Sequence, residues 1–92
     1  MEHLSIKEIY DRLEGLNGWE LIGNGIMKDF SFDSHKQAME FAQKIGEEAQ
    51  RLNHYPDISI RNNKVNVALT TQEANGLTHD DFKMARIIEQ LV

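Results

Sequence analysis

The sequence predicts an α+β domain in which three helices stack on one face of a single antiparallel four-stranded sheet. Three capping-box patterns, Ser5-x-x-Glu8, Ser34-x-x-Gln37 and Thr78-x-x-Asp81, each precede apolar residues spaced three and four apart. That combination marks a helix start followed by a core-facing stripe. Between the helices lie two pairs of short segments that alternate apolar and polar residues, each pair joined by turn-forming residues. The order is therefore helix, hairpin, helix, hairpin, helix, and strands joined by tight turns pair antiparallel.

Behind Ser5, the residues Ile6, Ile9, Tyr10, Leu13 and Leu16 repeat at helical spacing until Gly15, Asn17 and Gly18 end the first helix. Trp19 to Ile22 alternates at period two, Gly23-Asn24-Gly25 turns the chain, and Ile26, Phe30 and Phe32 share a face of the returning strand. Lys28 and Asp29 fall on opposite faces there, so one face is not wholly apolar. The second helix is the longest, with Ala38, Phe41, Ala42, Ile45, Ala49 and Leu52 forming a stripe of about five turns. It ends at Asn53 or His54, because the residue before Pro56 is pushed out of helical backbone and Asn accepts a left-handed cap.

Asp57 to Arg61 alternates, Asn62-Asn63 is a turn signal, and Val65, Val67 and Leu69 alternate with Asn66, Ala68 and Thr70. After a loop containing Gly76, the third helix carries Phe82, Met84, Ala85, Ile87, Ile88 and Leu91. Met84, Ile87 and Leu91 widen its stripe, which fits either a partner helix or a broad core face. Helices on one side leave two strand edges open, a liability that edge pairing in a homodimer or homotetramer removes.

Ninety-two residues suit one domain spanning 1–92. A mean hydropathy of -0.53 and the lack of any apolar run near ~20 residues exclude a membrane-spanning helix. Met1-Glu2-His3-Leu4-Ser5 lacks a basic start followed by an apolar stretch, so the expected location is the cytoplasm. With no cysteine, disulfides, thiol catalysis and thiolate metal sites are excluded. A net charge of -5 argues against direct binding of nucleic acid, which needs clustered Lys and Arg. His3, His35, His54 and His79 show no i, i+4 pairing, so no metal site is expected. Gly23-Asn24-Gly25 joins two strands rather than a strand and a helix, so no nucleotide cofactor is expected either.

The chemistry concentrates at Leu52-Asn53-His54-Tyr55-Pro56, where a long helix gives way to a strand. Histidine exchanges protons near neutral pH, its ordinary pKa being ~6.5. In the same place it also serves as a cationic cap on the negative end of a helix. Tyr55 before a proline reads first as a packing aromatic, Gln72 as a loop or pocket residue, and Asp81, by its spacing, as a helix-start residue.

The run Leu52 to Pro56, with Asn63-Lys64-Val65, Leu69-Thr70-Thr71, Gly76-Leu77-Thr78 and Asp81, resembles the pterin-4a-carbinolamine dehydratases. Gly18-Trp19 before the first strand matches as well, so the likeness covers nearly the whole chain. The resemblance implies that His54 is the catalytic acid or base and that Tyr55, Pro56, Gln72 and Asp81 contact the substrate. It departs from the family pattern where a glutamate and two further histidines are usual: Gln50, Tyr55 and Gln72 stand there, and Ile58 replaces an aromatic residue.

The implied reaction is loss of water from 4a-hydroxytetrahydrobiopterin or a related reduced pterin, giving the quinonoid dihydropterin without metal or bound cofactor. A positioned acid or base is typically worth ~10²–10⁴ in rate, so losing two histidines implies weakened turnover rather than lost binding. The alternative is a non-catalytic dimeric module that keeps the fold and binds or assembles other proteins, since members of the family also partner a transcription factor.

Overall fold

Helix starts fix the frame of the molecule. In a computed structural model that describes residues 2–92, Ser5 caps α1 (Ile6–Leu13), with its hydroxyl accepting from Glu8 N at 3.2 Å and Glu8 Oε1 accepting from Ser5 N at 3.0 Å. Ser34 caps α2 (His35–Leu52) by accepting from Gln37 N at 3.1 Å, while Gln37 reaches one residue further back to Asp33 N. Such caps satisfy amides that have no partner within the helix. Asn53 ends α2 in the left-handed conformation, φ 54°. α1 stops at Leu13, earlier than its apolar spacing predicts, and Leu16 is buried outside the helix.

The strands are β1 (Glu20–Ile22), β2 (Gly25–Ser31), β3 (Asp57–Arg61) and β4 (Lys64–Leu69), in the order β1-β2-β4-β3 with every pair antiparallel. Gly23 at φ +61° and Asn62 at φ 55° occupy the first positions of the two hairpin turns, where the twist of paired strands favours positive φ. Gly25 is required for another reason: a Cβ there would lie 2.7 Å from the carbonyl oxygen of Leu69.

Register decides which side chains meet the helices. Ile26 and Leu69 pair, as do Phe30 and Val65, and with Val67 they form the inner face. α2 contributes Ala38, Phe41, Ile45 and Ala49, and α3 (His79–Leu91) contributes Phe82, Met84, Ala85 and Ile88. Trp19, Phe30, Phe41 and Phe32 follow one another with ring centroids 4.9–6.1 Å apart. Each fully buried Ile, Leu or Phe is worth about 1.5–3 kcal/mol. Met84 is wholly buried in this core, so the broad-face explanation of the α3 stripe holds for it, while Ile87 and Leu91 are half-buried.

Lys28 is the polar exception on the inner face, paired in register with Val67. Its Nζ donates to Glu89 Oε2 at 2.7 Å and to the Asn17 carbonyl at 2.8 Å, and Trp19 Nε1 donates to the same Glu89 oxygen at 3.0 Å. The ammonium also lies 4.9 Å from the Phe30 ring centre, so the charge is fully satisfied where it crosses the apolar layer. The opposite face of the sheet is bare of helices and carries Asp57, Ala68 and Met27 across three strands. No helix among the described residues is long and apolar enough to cross a membrane.

Candidate active site

Where α2 ends, the left-handed Asn53 turns the chain, and His54 N donates back to the Ala49 carbonyl at 3.1 Å. The imidazole is thereby carried on a rigid helix end. A 3₁₀ turn, Gln72–Ala74, follows β4, and its base is closed by Thr71 N donating to the Gly76 carbonyl at 3.0 Å. α3 follows directly, capped by Thr78, which places the third residue of its first turn, Asp81, behind His54.

Asp81 is fully buried, and its carboxylate accepts three hydrogen bonds. His54 Nε2 donates to Oδ1 at 2.6 Å; Thr71 Oγ1 and Thr78 N donate to Oδ2 at 2.7 and 2.9 Å. The Thr78 hydroxyl lies 2.9 Å from that of Thr71 and, because the Thr71 proton points at Asp81, acts as the donor. A buried carboxylate is tolerable only when its oxygens are saturated in this way. A carboxylate only accepts, so neutral His54 carries its proton on Nε2 and presents the Nδ1 lone pair elsewhere. Nδ1 has no partner among the described residues and is not buried.

His54 lies at the edge of a cleft. His54, Asn53, Tyr55, Asp57, Ala68, Thr70, Gln72 and Glu73 line a hollow of about 330 Å³, near the lower end of the ~300–1,000 Å³ usual for small-molecule sites. A somewhat larger hollow, about 390 Å³, opens between the end of β2, α2 and the C-terminal Val92, but it contains no histidine.

Of the residues singled out in the sequence, His54, Tyr55 and Gln72 meet at this cleft, with Tyr55 63% exposed. Asp81 stands behind His54, outside the cleft lining, and is both helix-start residue and histidine partner. Pro56 is half-buried and does not line the cleft. Gln50 is exposed and also lies outside the lining, while Ile58 faces the core across from Val67.

Asn53, Asp57, Ala68, Thr70 and Glu73 line the cleft without having been singled out. The signal for three of them is period two: if Ile58, Val67 and Leu69 point inward, then Asp57, Ala68 and Thr70 point to the open face. The other histidines are dispersed, His3 bonding the Leu4 carbonyl, His35 the Asn62 carbonyl and His79 the Arg12 guanidinium. Among the described residues no three His, Asp or Glu side chains gather as metal ligands do.

Residues 2–91 match the family model described as pterin 4 alpha carbinolamine dehydratase. A protein of Sulfurisphaera tokodaii, provisionally named a pterin-4-alpha-carbinolamine dehydratase, is 42% identical over 92 residues, covering 100% of this chain and 99% of that one. One from Acidobacterium capsulatum with the same provisional name is 41% identical over 92 residues, with 100% of both chains covered. A crystal structure of a transcriptional coactivator/pterin dehydratase from Brucella melitensis superposes with a TM-score of 0.94 at 30% identity, covering 98% of each chain. A pterin dehydratase-like protein identified as a RuBisCO assembly factor in the alpha-carboxysome shares the fold alone, at TM-score 0.66 and 18% identity over 79% of this chain and 84% of that one. By family match, by identity along its whole length and by fold, this chain belongs to the pterin-4-alpha-carbinolamine dehydratases.

Proposed function

We propose that the protein eliminates water from a 4a-hydroxy reduced pterin, with His54 as the single proton-transfer residue and Asp81 as its positioning partner. The observation that carries this reading is the imidazole held through Nε2 by a buried carboxylate 2.6 Å away, with its free Nδ1 beside a cleft.

In the reaction the C4a–O bond breaks, the hydroxyl gains a proton and leaves as water, N5 loses its proton, and the N5–C4a bond becomes double. One proton is taken and one is given, so a single imidazole closes the inventory: Nδ1 accepts from N5–H and the imidazolium returns the proton to the departing hydroxyl. Asp81 faces the transient positive charge and favours its formation, as the carboxylate does in a Ser-His-Asp triad. Tyr55 and Gln72 supply hydrogen bonds to the bound pterin rather than proton transfer, since neither exchanges a proton readily at neutral pH. Turnover by one histidine is expected to be slower than by three. The sheet edges at β1 and β3 are unpaired within the chain, which supports assembly as a homodimer or homotetramer.

The test is stopped-flow observation of quinonoid dihydropterin formation from 4a-hydroxytetrahydrobiopterin. The protein accelerates the step above the spontaneous rate if the reading is correct. A rate equal to the spontaneous one removes the enzymatic reading and leaves a fold used for binding other proteins, which a specific co-purifying partner would then identify.

A further inference from the structure

The charge of the cleft points to a selection among pterins. Its lining holds two carboxylates, Asp57 and Glu73, and neither Lys nor Arg. An adjoining hollow of about 180 Å³ shares Asp57, Ala68 and Thr70 and continues along Ile22, Asn24, Gly25 and Met27, again without a cation. Neither carboxylate is neutralised within the fold, whose ion pairs are Lys7 with Asp11, Lys28 with Glu89, Arg51 with Glu48 and His54 with Asp81 among the described residues. The bicyclic ring is compatible with such surroundings, because its N2 amino group and N3–H form a two-donor fork of the kind a carboxylate accepts in pairs. An anionic substituent on the ring has no counter-charge in either hollow and is repelled by two like charges.

We infer that the site takes reduced pterins with an uncharged side chain and rejects those carrying a phosphate or a glutamate tail, with Asp57 and Glu73 as the discriminating residues. This rests on the cleft being the pterin site proposed above. Both residues are exposed to solvent, so the discrimination is a screened Coulomb effect that weakens with salt.

Isothermal titration of the full chain with 7,8-dihydroneopterin and with its monophosphate, which differ only by the anionic group, tests the inference. The uncharged compound is expected to bind about tenfold more tightly at roughly 20 mM salt, and the gap to shrink below about twofold at about 0.5 M salt. In the double variant Asp57→Asn, Glu73→Gln the gap is expected to fall to below about twofold at low salt as well; both positions are exposed and outside the ion pairs, so the variant folds. Equal binding of the two compounds to the native chain, or a gap that survives in the variant, overturns the selection while leaving the pterin site standing. Binding of neither compound overturns both.

Discussion

At the scale of single residues, the behaviour of His54 is set by what holds its far nitrogen. Asp81 receives three donors and returns a fixed tautomer, so its replacement should alter chemistry more than binding. In Asp81→Asn the amide reproduces the shape but lets the imidazole carry its proton on either nitrogen. We expect kcat for dehydration to fall roughly tenfold or more with KM little changed, by analogy with the orienting carboxylate of a triad. Nitrogen-15 spectra supply the second readout: neutral His54 should be protonated on Nε2 in the native chain and mixed in the variant. A native Nδ1-protonated ring would contradict the assignment. Much of this was legible in the sequence, but not the partnership. Helix end, histidine and proline could be read from Leu52 to Pro56, whereas Asp81 lies 27 positions away from His54 and its spacing announces only a helix start. The double use of that one carboxylate is a tertiary fact.

At the scale of elements, capping and a buried polar tie hold the helices to the sheet. Glu8 accepts from the Ser5 backbone, and this bond first, then the Ser5 hydroxyl and the nearby Arg12 and Lys7 charges, lowers its pKa from the ordinary 4.5. A folded value below the unfolded one means that the contribution is fully present above pH 4.5 and is lost as pH falls through the lower folded value. The protection of the Ser5 and Glu8 amides, taken relative to the intrinsic exchange rate at each pH, should therefore fall only below that range, and Glu8→Gln should remove the acid dependence. Protection at these amides that stays constant with pH in the native chain would contradict this.

Glu89 has a larger task, since it alone accepts from both Lys28 Nζ and Trp19 Nε1 between the sheet and α3. Glu89→Ala strands the Trp19 indole N–H and leaves Lys28 Nζ with the Asn17 carbonyl alone, which is expected to cost about 1–3 kcal/mol, read as a lowered denaturation midpoint; an unchanged midpoint would show the tie to be dispensable. The sequence revealed that Lys28 interrupted an apolar face but not what it met there, because Asn17, Trp19 and Glu89 converge only once the hairpin packs against α3. By contrast the hairpins, the left-handed Asn53 and all three caps were local enough to be read directly.

At the scale of the whole molecule, helices cover one face of the sheet while the cleft opens at the other, bounded by β3, β4 and the 3₁₀ turn. β3 is both an edge strand and the carrier of Asp57, so a second copy paired there would sit beside the site. Light scattering at micromolar concentration should report a dimer or a larger even assembly; a monomer alone would contradict the proposed edge pairing. In the proposed reaction, with Gln50, Tyr55 and Gln72 unable to replace histidine, the imidazole of His54 alone carries the proton traffic. The most direct measurement is the dehydration rate of 4a-hydroxytetrahydrobiopterin with native protein and with His54→Ala, folding of both verified by circular dichroism. We predict that the native protein accelerates the reaction and that the variant loses about 10²–10⁴ of its kcat or falls to the spontaneous rate. Equal acceleration by the two proteins would contradict the assignment of His54.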